Sequence, residues 1–147
     1  MNHRQGLYDG ILIKDNHISL LVSFGGFKRR TSAITYLVSK AKAVAKEKGL
    51  PVEIEVENER EAERAAGAGA EIILLDNLPP EKVLRIRRNL KKKGFKGEIE
   101  VSGGVTLDNV TRYARAGVER ISIGRLTHSA PALDFSLEIK WQKREFG

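Results

Sequence analysis

Apolar residues along the chain follow two alternating patterns. Short apolar runs bounded by turn-forming residues are typical of buried β-strands, and longer stretches with apolar residues at helical spacing are typical of amphipathic helices. The predicted strands span residues 8–14, 52–57, 71–76, 98–102, 120–124 and 135–141, and the predicted helices span 31–48, 59–68, 80–93 and 107–116. We expect the helices to end at Gly49, Gly69, Gly94 and Gly117. The alternation indicates an α/β fold with about six mostly parallel strands, in a single domain over residues 1–147.

A weak internal repeat supports this assignment. The stretches "AGAEIILLD" at 68–76 and "AGVERISIG" at 116–124 both carry an Ala-Gly that ends a helix and then a strand. Repeated βα units with polar residues at the carboxyl ends of strands are typical of a (β/α) barrel, in which that edge holds the active site. A full barrel needs about 250 residues. The sequence therefore predicts an incomplete barrel, with an open doubly wound sheet as the alternative.

Composition narrows the class of protein. The chain has 147 residues, 41% hydrophobic and 31% charged, which suits one domain with a substantial core. It has no cysteine, which excludes a disulfide framework and thiolate metal sites and suits a reducing compartment. We expect a cytoplasmic protein, because no stretch resembles a membrane span or a signal peptide.

The formal net charge of +7 favours anionic partners. Much of the excess lies in two clusters, one at Lys28, Arg29 and Arg30 and one between Arg85 and Lys96. The second cluster predicts the solvated face of a helix. Binding of nucleic acid is not expected there, because no aromatic residues interleave with the charges to stack on bases.

Polar and glycine residues follow most of the predicted strands. They are Lys14, Glu55 or Glu57, Asp76 with Asn77, Ser102 with Gly103 and Gly104, and Gly124 with His128. A lysine and paired carboxylates can bind a phosphorylated sugar with magnesium, and glycine lets backbone N–H groups approach a phosphate. A helix starting near Thr106 would add to such a phosphate site. Together these residues predict a site for a polyanion.

Each feature also has a structural interpretation. A Ser-Gly-Gly stretch is more often a plain turn, and His17 is typical of a helix cap or a surface residue. Glu53, Glu55 and Glu57 share one face of their strand by the period of two, opposite the apolar residues between them. In a parallel strand that face should be buried, so these carboxylates need cations, ligand or water.

Five motifs follow one another along the chain between residues 3 and 139. They are "HRQGLYDGILIKDNH", "VEIEVEN", "IILLDN", "VSGGVTLDNV" and "ISIGRLTHSAPALDFSLEI". On these residues the chain resembles the quinolinate phosphoribosyltransferase family. The resemblance implies a type II phosphoribosyltransferase fold with an incomplete α/β barrel. It also implies a pentosyltransferase of NAD biosynthesis, the decarboxylating nicotinate-nucleotide pyrophosphorylase, which converts quinolinate and phosphoribosyl pyrophosphate to nicotinate mononucleotide, pyrophosphate and carbon dioxide with magnesium.

The resemblance assigns roles to individual residues. His3 and Arg4 match the pair that contacts the quinolinate carboxylates, and Lys14 matches the lysine near phosphoribosyl pyrophosphate. The family's acidic pair for the ribose hydroxyls and magnesium corresponds to Glu55 and Asp76. The 5′-phosphate contacts correspond to Ser102, Gly103, Gly124 and His128. Arg125 departs from the family, which usually has a small residue at that position.

The resemblance covers the carboxyl-terminal part of the family's pattern. We expect the amino-terminal domain and the first barrel strands to be absent and the chain to be inactive alone, with a homo-oligomer or a separate chain completing the site. One alternative is the pyrophosphorylase-like group associated with molybdenum transport, although His3 with Arg4 argues against it. Another is a non-catalytic barrel fragment that binds phosphate or RNA.

Overall fold

The computed structural model describes residues 9–124. Within this part, strands and helices alternate as the sequence pattern predicts. The strands are β1 (Ile11–Ile13), β2 (Val52–Val56), β3 (Ile72–Asp76), β4 (Glu98–Ser102) and β5 (Arg120–Ile121). The helices are α1 (Asp15–Ser23), α2 (Arg30–Lys48), α3 (Glu59–Ala68), α4 (Pro80–Lys92) and α5 (Val110–Arg115). The strand predicted at 135–141 lies outside the described residues.

The sheet has five parallel strands in the order β1-β2-β3-β4-β5. Each strand therefore pairs with the next one along the chain, and the connecting helices pack consecutively on one face of the sheet. A doubly wound sheet would reverse its strand order and place helices on both faces. The sequential order identifies the start of a barrel that these five strands do not close.

The two faces of the sheet differ in chemistry. The face under the helices is apolar and fully buried, with Val52, Ile54, Ile73, Leu75 and Ile99 each at most 1% exposed. Consecutive helices also pack on one another, α1 on α2, α2 on α3, α3 on α4 and α4 on α5. Burial of this apolar layer supplies the main driving force for folding. The opposite face, which would line a barrel, carries charged residues on the four neighbouring strands β2 to β5.

The predicted helix ends are confirmed. Gly49 and Gly69 cap α2 and α3 in the left-handed conformation, with φ of 64° and 95°. Gly94 and Gly117 also have positive φ, 85° and 78°, just beyond α4 and α5. Glycine adopts this conformation without the steric cost that a Cβ imposes, so each helix stops where the sequence places one.

Local predictions differ from the structure in four places. Within the described residues, the strands predicted at 8–14 and 120–124 are shorter than expected, at Ile11–Ile13 and Arg120–Ile121. The residues after Ile13 begin helix α1, although the sequence pattern indicated no helix there. The reason is a reciprocal cap, in which the backbone N–H of Lys14 donates to Nδ1 of His17 and the N–H of His17 donates to the carbonyl of Lys14, at 2.9 and 3.0 Å. The helix predicted from residue 107 begins only at Val110, because 107–109 form a turn.

The internal repeat has a structural counterpart in two glutamates. Glu71 precedes β3 and accepts a hydrogen bond of 2.9 Å from the N–H of Val52, while pairing with Lys42 of α2. Glu119 precedes β5 and accepts one of 2.9 Å from the N–H of Ile99, while pairing with basic residues of α4. Each glutamate thus ties its own strand to the preceding strand and to the helix that leads into that preceding strand.

Candidate functional site

The carboxyl ends of the parallel strands bring the predicted site residues to one edge of the sheet. Lys14 follows β1, Glu55 lies near the end of β2, and Asp76 and Ser102 end β3 and β4. Asp76 and Ser102 are direct partners in the strand register, and the N–H of Asn77 donates to the carbonyl of Ser102 at 2.9 Å. Residues separated by up to 88 positions in sequence therefore meet at this edge.

Glu55 has the most perturbed carboxyl group at this edge. Partial burial raises its pKa above the ordinary 4.5, and the nearby charges of Asp76 and Asp15 act in the same direction. A hydrogen bond from the backbone N–H of Asp15 and the charge of Lys14 oppose the rise without cancelling it. Two carboxylates on adjacent strands beside one lysine form a place where a bound cation would be favourable.

The row of glutamates on β2 is graded in exposure. Glu53 is 5% exposed and Glu55 is half-buried, whereas the side chain of Glu57 is 55% exposed and lies 3.6 Å from Arg30. The prediction that the three share the face opposite Val52, Ile54 and Val56 agrees with the burial of those three apolar residues. The charge of Glu55 interacts with the charges of Lys14 and Asp76.

The Ser-Gly-Gly stretch forms a tight loop after β4. Gly103 and Gly104 both have positive φ, 78° and 63°. Asn109 holds the loop, because its side chain accepts from the N–H of Thr106 and donates to the carbonyl of Gly104, each at 2.9 Å. Since α5 has only six residues and begins at Val110, the loop does not open a long helix. Any anion bound here would depend on the loop's own N–H groups.

Sequence reasoning missed a second group of polar residues below this edge. Glu100 is 1% exposed, and its Oε1 accepts a hydrogen bond from the Ser122 hydroxyl at 2.5 Å. Arg120 lies 2.5 Å from the carboxylate of Glu98. The alternation in "EIEVS" at 98–102 has the same period of two as the glutamates of β2 and could have revealed this face. The inner face of the sheet is therefore rich in carboxylates over β2 and β4.

Several predicted site residues lie outside the described part of the chain. These are His3, Arg4 and His128, together with the departure at Arg125. Gly124 is the last described residue and follows β5. The structural interpretation of His17 is confirmed, because the ring caps α1.

The fit of the edge to magnesium depends on its carboxylates. No group of three or more histidine, cysteine, aspartate or glutamate side chains within residues 9–124 is arranged to hold a metal ion. Glu55 and Asp76 provide two carboxylates whose charges repel one another, as the raised pKa of Glu55 reflects. Two carboxylates with substrate oxygens as the remaining ligands match the way proteins usually bind magnesium, so these residues fit an ion that arrives with a phosphorylated substrate.

Two surface clefts lie away from this edge, at the amino ends of the strands. One is lined by residues such as Gly67 and Phe95, and the other by residues such as Lys46 and Pro51.

Within residues 9–124, no helix is long and apolar enough to cross a bilayer.

The basic cluster on α4 is largely paired with acidic residues. Arg85 lies 3.3 Å from Glu59 and Lys93 lies 2.6 Å from Glu63, while Arg87 and Lys91 share Glu119. Charges neutralised in this way release fewer counterions on binding a nucleic acid. The pairing supports the sequence interpretation of a solvated helix face.

The comparisons with known proteins agree with the fold and the motifs. Residues 1–138 match the family profile described as quinolinate phosphoribosyl transferase, C-terminal domain. The probable nicotinate-nucleotide pyrophosphorylase (carboxylating) of Archaeoglobus fulgidus is 40% identical over 139 residues, covering 93% of this chain and 48% of that protein. The human nicotinate-nucleotide pyrophosphorylase (carboxylating) is 38% identical over 138 residues, covering 94% of this chain and 43% of that protein.

A solved structure gives the same result in three dimensions. The nicotinate-nucleotide pyrophosphorylase from Francisella tularensis superposes with a TM-score of 0.67 at 36% identity, covering 86% of this chain and 40% of that one. The chain spans about half the length of the curated relatives that it matches. The fold is an incomplete parallel barrel with predicted site residues at its carboxyl edge, which agrees with these matches. The chain therefore belongs to the quinolinate phosphoribosyltransferase family, in the region of its C-terminal domain.

Proposed function

We propose that this chain forms the phosphoribosyl-binding half of a decarboxylating quinolinate phosphoribosyltransferase. The observation that carries the proposal is the meeting of Lys14, Glu55 and Asp76 at one strand edge beside the loop at Ser102. In this assignment Lys14 faces the phosphoribosyl pyrophosphate, and Glu55 and Asp76 bind the ribose hydroxyls. The 5′-phosphate is bound by Ser102 and Gly103 with Gly124 and His128, and quinolinate by His3 and Arg4.

The reaction follows from these positions. Pyrophosphate leaves with the electron pair of its bond to the anomeric carbon, and the carboxylates of Glu55 and Asp76 stabilise the positive charge left on the ribose. The ring nitrogen of quinolinate then forms the new bond to that carbon. The bond to the 2-carboxylate breaks, carbon dioxide leaves, and the remaining electron pair takes up a proton. Magnesium, when bound, neutralises part of the pyrophosphate charge. The chain's own contribution is to position charge around substrates held in line.

The remaining substrate contacts belong to the part of the family that this chain does not match. We propose that cations from an amino-terminal domain complete the quinolinate site. This domain belongs to the same subunit or to a neighbouring subunit of an oligomer, and the protein acts in the cytoplasm. Removing one buried partner of a charged ligand costs about 2–5 kcal/mol, and about 1.4 kcal/mol is a tenfold change in rate. We therefore expect the 147-residue chain alone to form no detectable nicotinate mononucleotide.

The test combines binding and turnover. The chain is titrated calorimetrically with phosphoribosyl pyrophosphate and magnesium, and Glu55→Ala and Asp76→Ala should each weaken binding at least tenfold. Turnover is assayed with quinolinate added, with and without the amino-terminal half of the Archaeoglobus fulgidus relative. Product only in the combined sample, and none with Glu55→Ala, is the expected result. Unchanged binding in both alanine variants would refute the assignment of the edge.

A further inference from the structure

Arg30 belongs to the basic cluster of residues 28–30, for which the sequence pattern predicts no role, and the structure connects it to the proposed site. It is the first residue of α2, and its side chain is 29% exposed. A cation at the amino terminus of a helix interacts unfavourably with the helix dipole, so the charge of Arg30 does not stabilise α2. Carboxylates of other elements stabilise this charge instead.

The guanidinium of Arg30 contacts three carboxylates. Its Nε lies 2.7 Å from Oε1 of Glu61 on α3, and its Nη2 lies 2.5 Å from Oδ1 of Asp15 on α1. The carboxylate of Glu57, just beyond β2, is 3.6 Å away. The hydrogen bond to Glu61 is the largest cause of a raised pKa of Arg30, so the cation is permanent. The planar fork of arginine suits two simultaneous partners in a way that lysine cannot reproduce.

Both strong partners of Arg30 lead to Glu55. Asp15 follows Lys14 directly at the start of α1, and its backbone N–H is one of the groups that influence the pKa of Glu55. On the other side, Oε2 of Glu61 accepts from the N–H of Glu57 at 3.2 Å, which fixes the strand two residues beyond Glu55. One guanidinium therefore restrains the start of α1 beside Lys14 and the strand end that carries Glu55.

We propose that Arg30 is a positioning residue for the phosphoribosyl site. By holding Asp15 and Glu61 together, it sets the amino end of α1 against the carboxyl end of β2 and so places Lys14 and Glu55 side by side. Without Arg30, three neighbouring carboxylates lose their shared cation and repel one another, which moves α1 away from the strand. The inference depends on the proposed function only in one of its two tests, the measurement of phosphoribosyl pyrophosphate binding.

The chain offers a matched control. Arg87 has the same side-chain exposure of 29% and also pairs with a carboxylate, Glu119, at 3.6 Å. That pair lies near the start of β5, at the amino edge of the sheet, so it is remote from Glu55. Arg30→Met and Arg87→Met remove the same guanidinium group at the same side-chain exposure.

The first measurement follows the amide proton resonance of Asp15 by NMR in the full chain. Arg30→Met should move this resonance toward its position in Glu55→Ala, where the neighbouring carboxylate is missing. In the Glu55→Ala background the same substitution should have a smaller effect, because the carboxylate that Asp15 approaches is already absent. An Asp15 resonance that responds equally in both backgrounds would overturn the proposal, and so would one that does not move.

The second measurement is calorimetric titration with phosphoribosyl pyrophosphate and magnesium. Arg30→Met should weaken binding at least tenfold and Arg30→Lys less, whereas Arg87→Met should bind like the parent. Equal weakening by Arg30→Met and Arg87→Met would show a general loss of stability and overturn the proposal. Should Arg30→Met not fold, Arg30→Lys carries both measurements. If the parent binds no phosphoribosyl pyrophosphate, the proposed function fails, and the NMR result still decides whether Arg30 holds Asp15 on Glu55.

Discussion

The side chain of Asn77 occupies the space into which a Cβ on Gly103 would project. Asn77 itself is in the left-handed region, with φ of 52°, and its side-chain amide donates to Asp76 at 2.7 Å. Gly103 therefore allows the end of β3 and the loop after β4 to approach closely. This packing gives Gly103 a structural role beside any contact with phosphate.

Gly103→Ala should destabilise the chain more than Gly104→Ala. Both residues have positive φ, which costs a residue with a Cβ about 1–2 kcal/mol, but only Gly103 also meets the Asn77 side chain. Overpacking of this kind adds about 1–3 kcal/mol. Urea unfolding measures both effects, and Asn77→Gly should recover only part of the difference in the double variant, because the backbone nitrogen of Asn77 also lies 2.9 Å from that Cβ. Equal losses for the two alanine variants would contradict the packing argument.

Gly104→Ala should weaken binding of ribose 5-phosphate by about tenfold, the equivalent of roughly 1.4 kcal/mol. A Cβ at this position points into open space, from which an anion would reach the loop. Gly49→Ala is the matched control, since Gly49 has φ of 64° against 63° for Gly104, is also unobstructed, and lies at the end of α2. Calorimetry that gives the same affinity for both variants would reject the loop as a phosphate site.

Glu55→Gln should stabilise the chain at neutral pH in magnesium-free buffer. The pKa of Glu55 is raised in the folded state, so ionisation of this carboxyl disfavours folding. The penalty is fully present above the folded pKa and vanishes below the ordinary value of 4.5. With screening by solvent, we expect a gain in Tm on the order of 1–2 °C at pH 7 that disappears near pH 4. A gain that is constant across this range would contradict the electrostatic cause.

Glu71 and Glu119 should respond alike to substitution. Alanine at either position leaves a strand N–H, that of Val52 or Ile99, without its acceptor, at a cost of about 1–3 kcal/mol. Glutamine keeps an acceptor and loses only the ion pairs, which are worth about 0–1 kcal/mol at this exposure. Thermal unfolding of the four variants tests the structural repeat. A glutamine variant as unstable as its alanine counterpart would show that the charge, not the hydrogen bond, matters.

Much of this protein follows from local sequence. Strands at 52–56, 72–76 and 98–102, and helix ends at Gly49 and Gly69, come from apolar periodicity and from the left-handed preference of glycine. Both signals act over a few residues, so they predict these elements without knowledge of the tertiary structure. The parallel order of the strands then brings Lys14, Asp76 and Ser102 to one edge, and the family motifs predict the chemistry of that edge.

Tertiary structure decided what depends on residues distant in sequence. Glu53, Glu55 and Glu57 are equivalent by their alternating pattern, and only the strand register and the position of α1 place Glu55 between Lys14 and Asp76. The same holds for Arg30, which reads as one more cation in a basic run until the crossover helices bring Asp15 and Glu61 to it from 15 and 31 residues away. Burial and charge pairing depend on which surfaces contact one another and are removed from water when the chain packs. They are therefore determined by the tertiary structure and not by the local sequence.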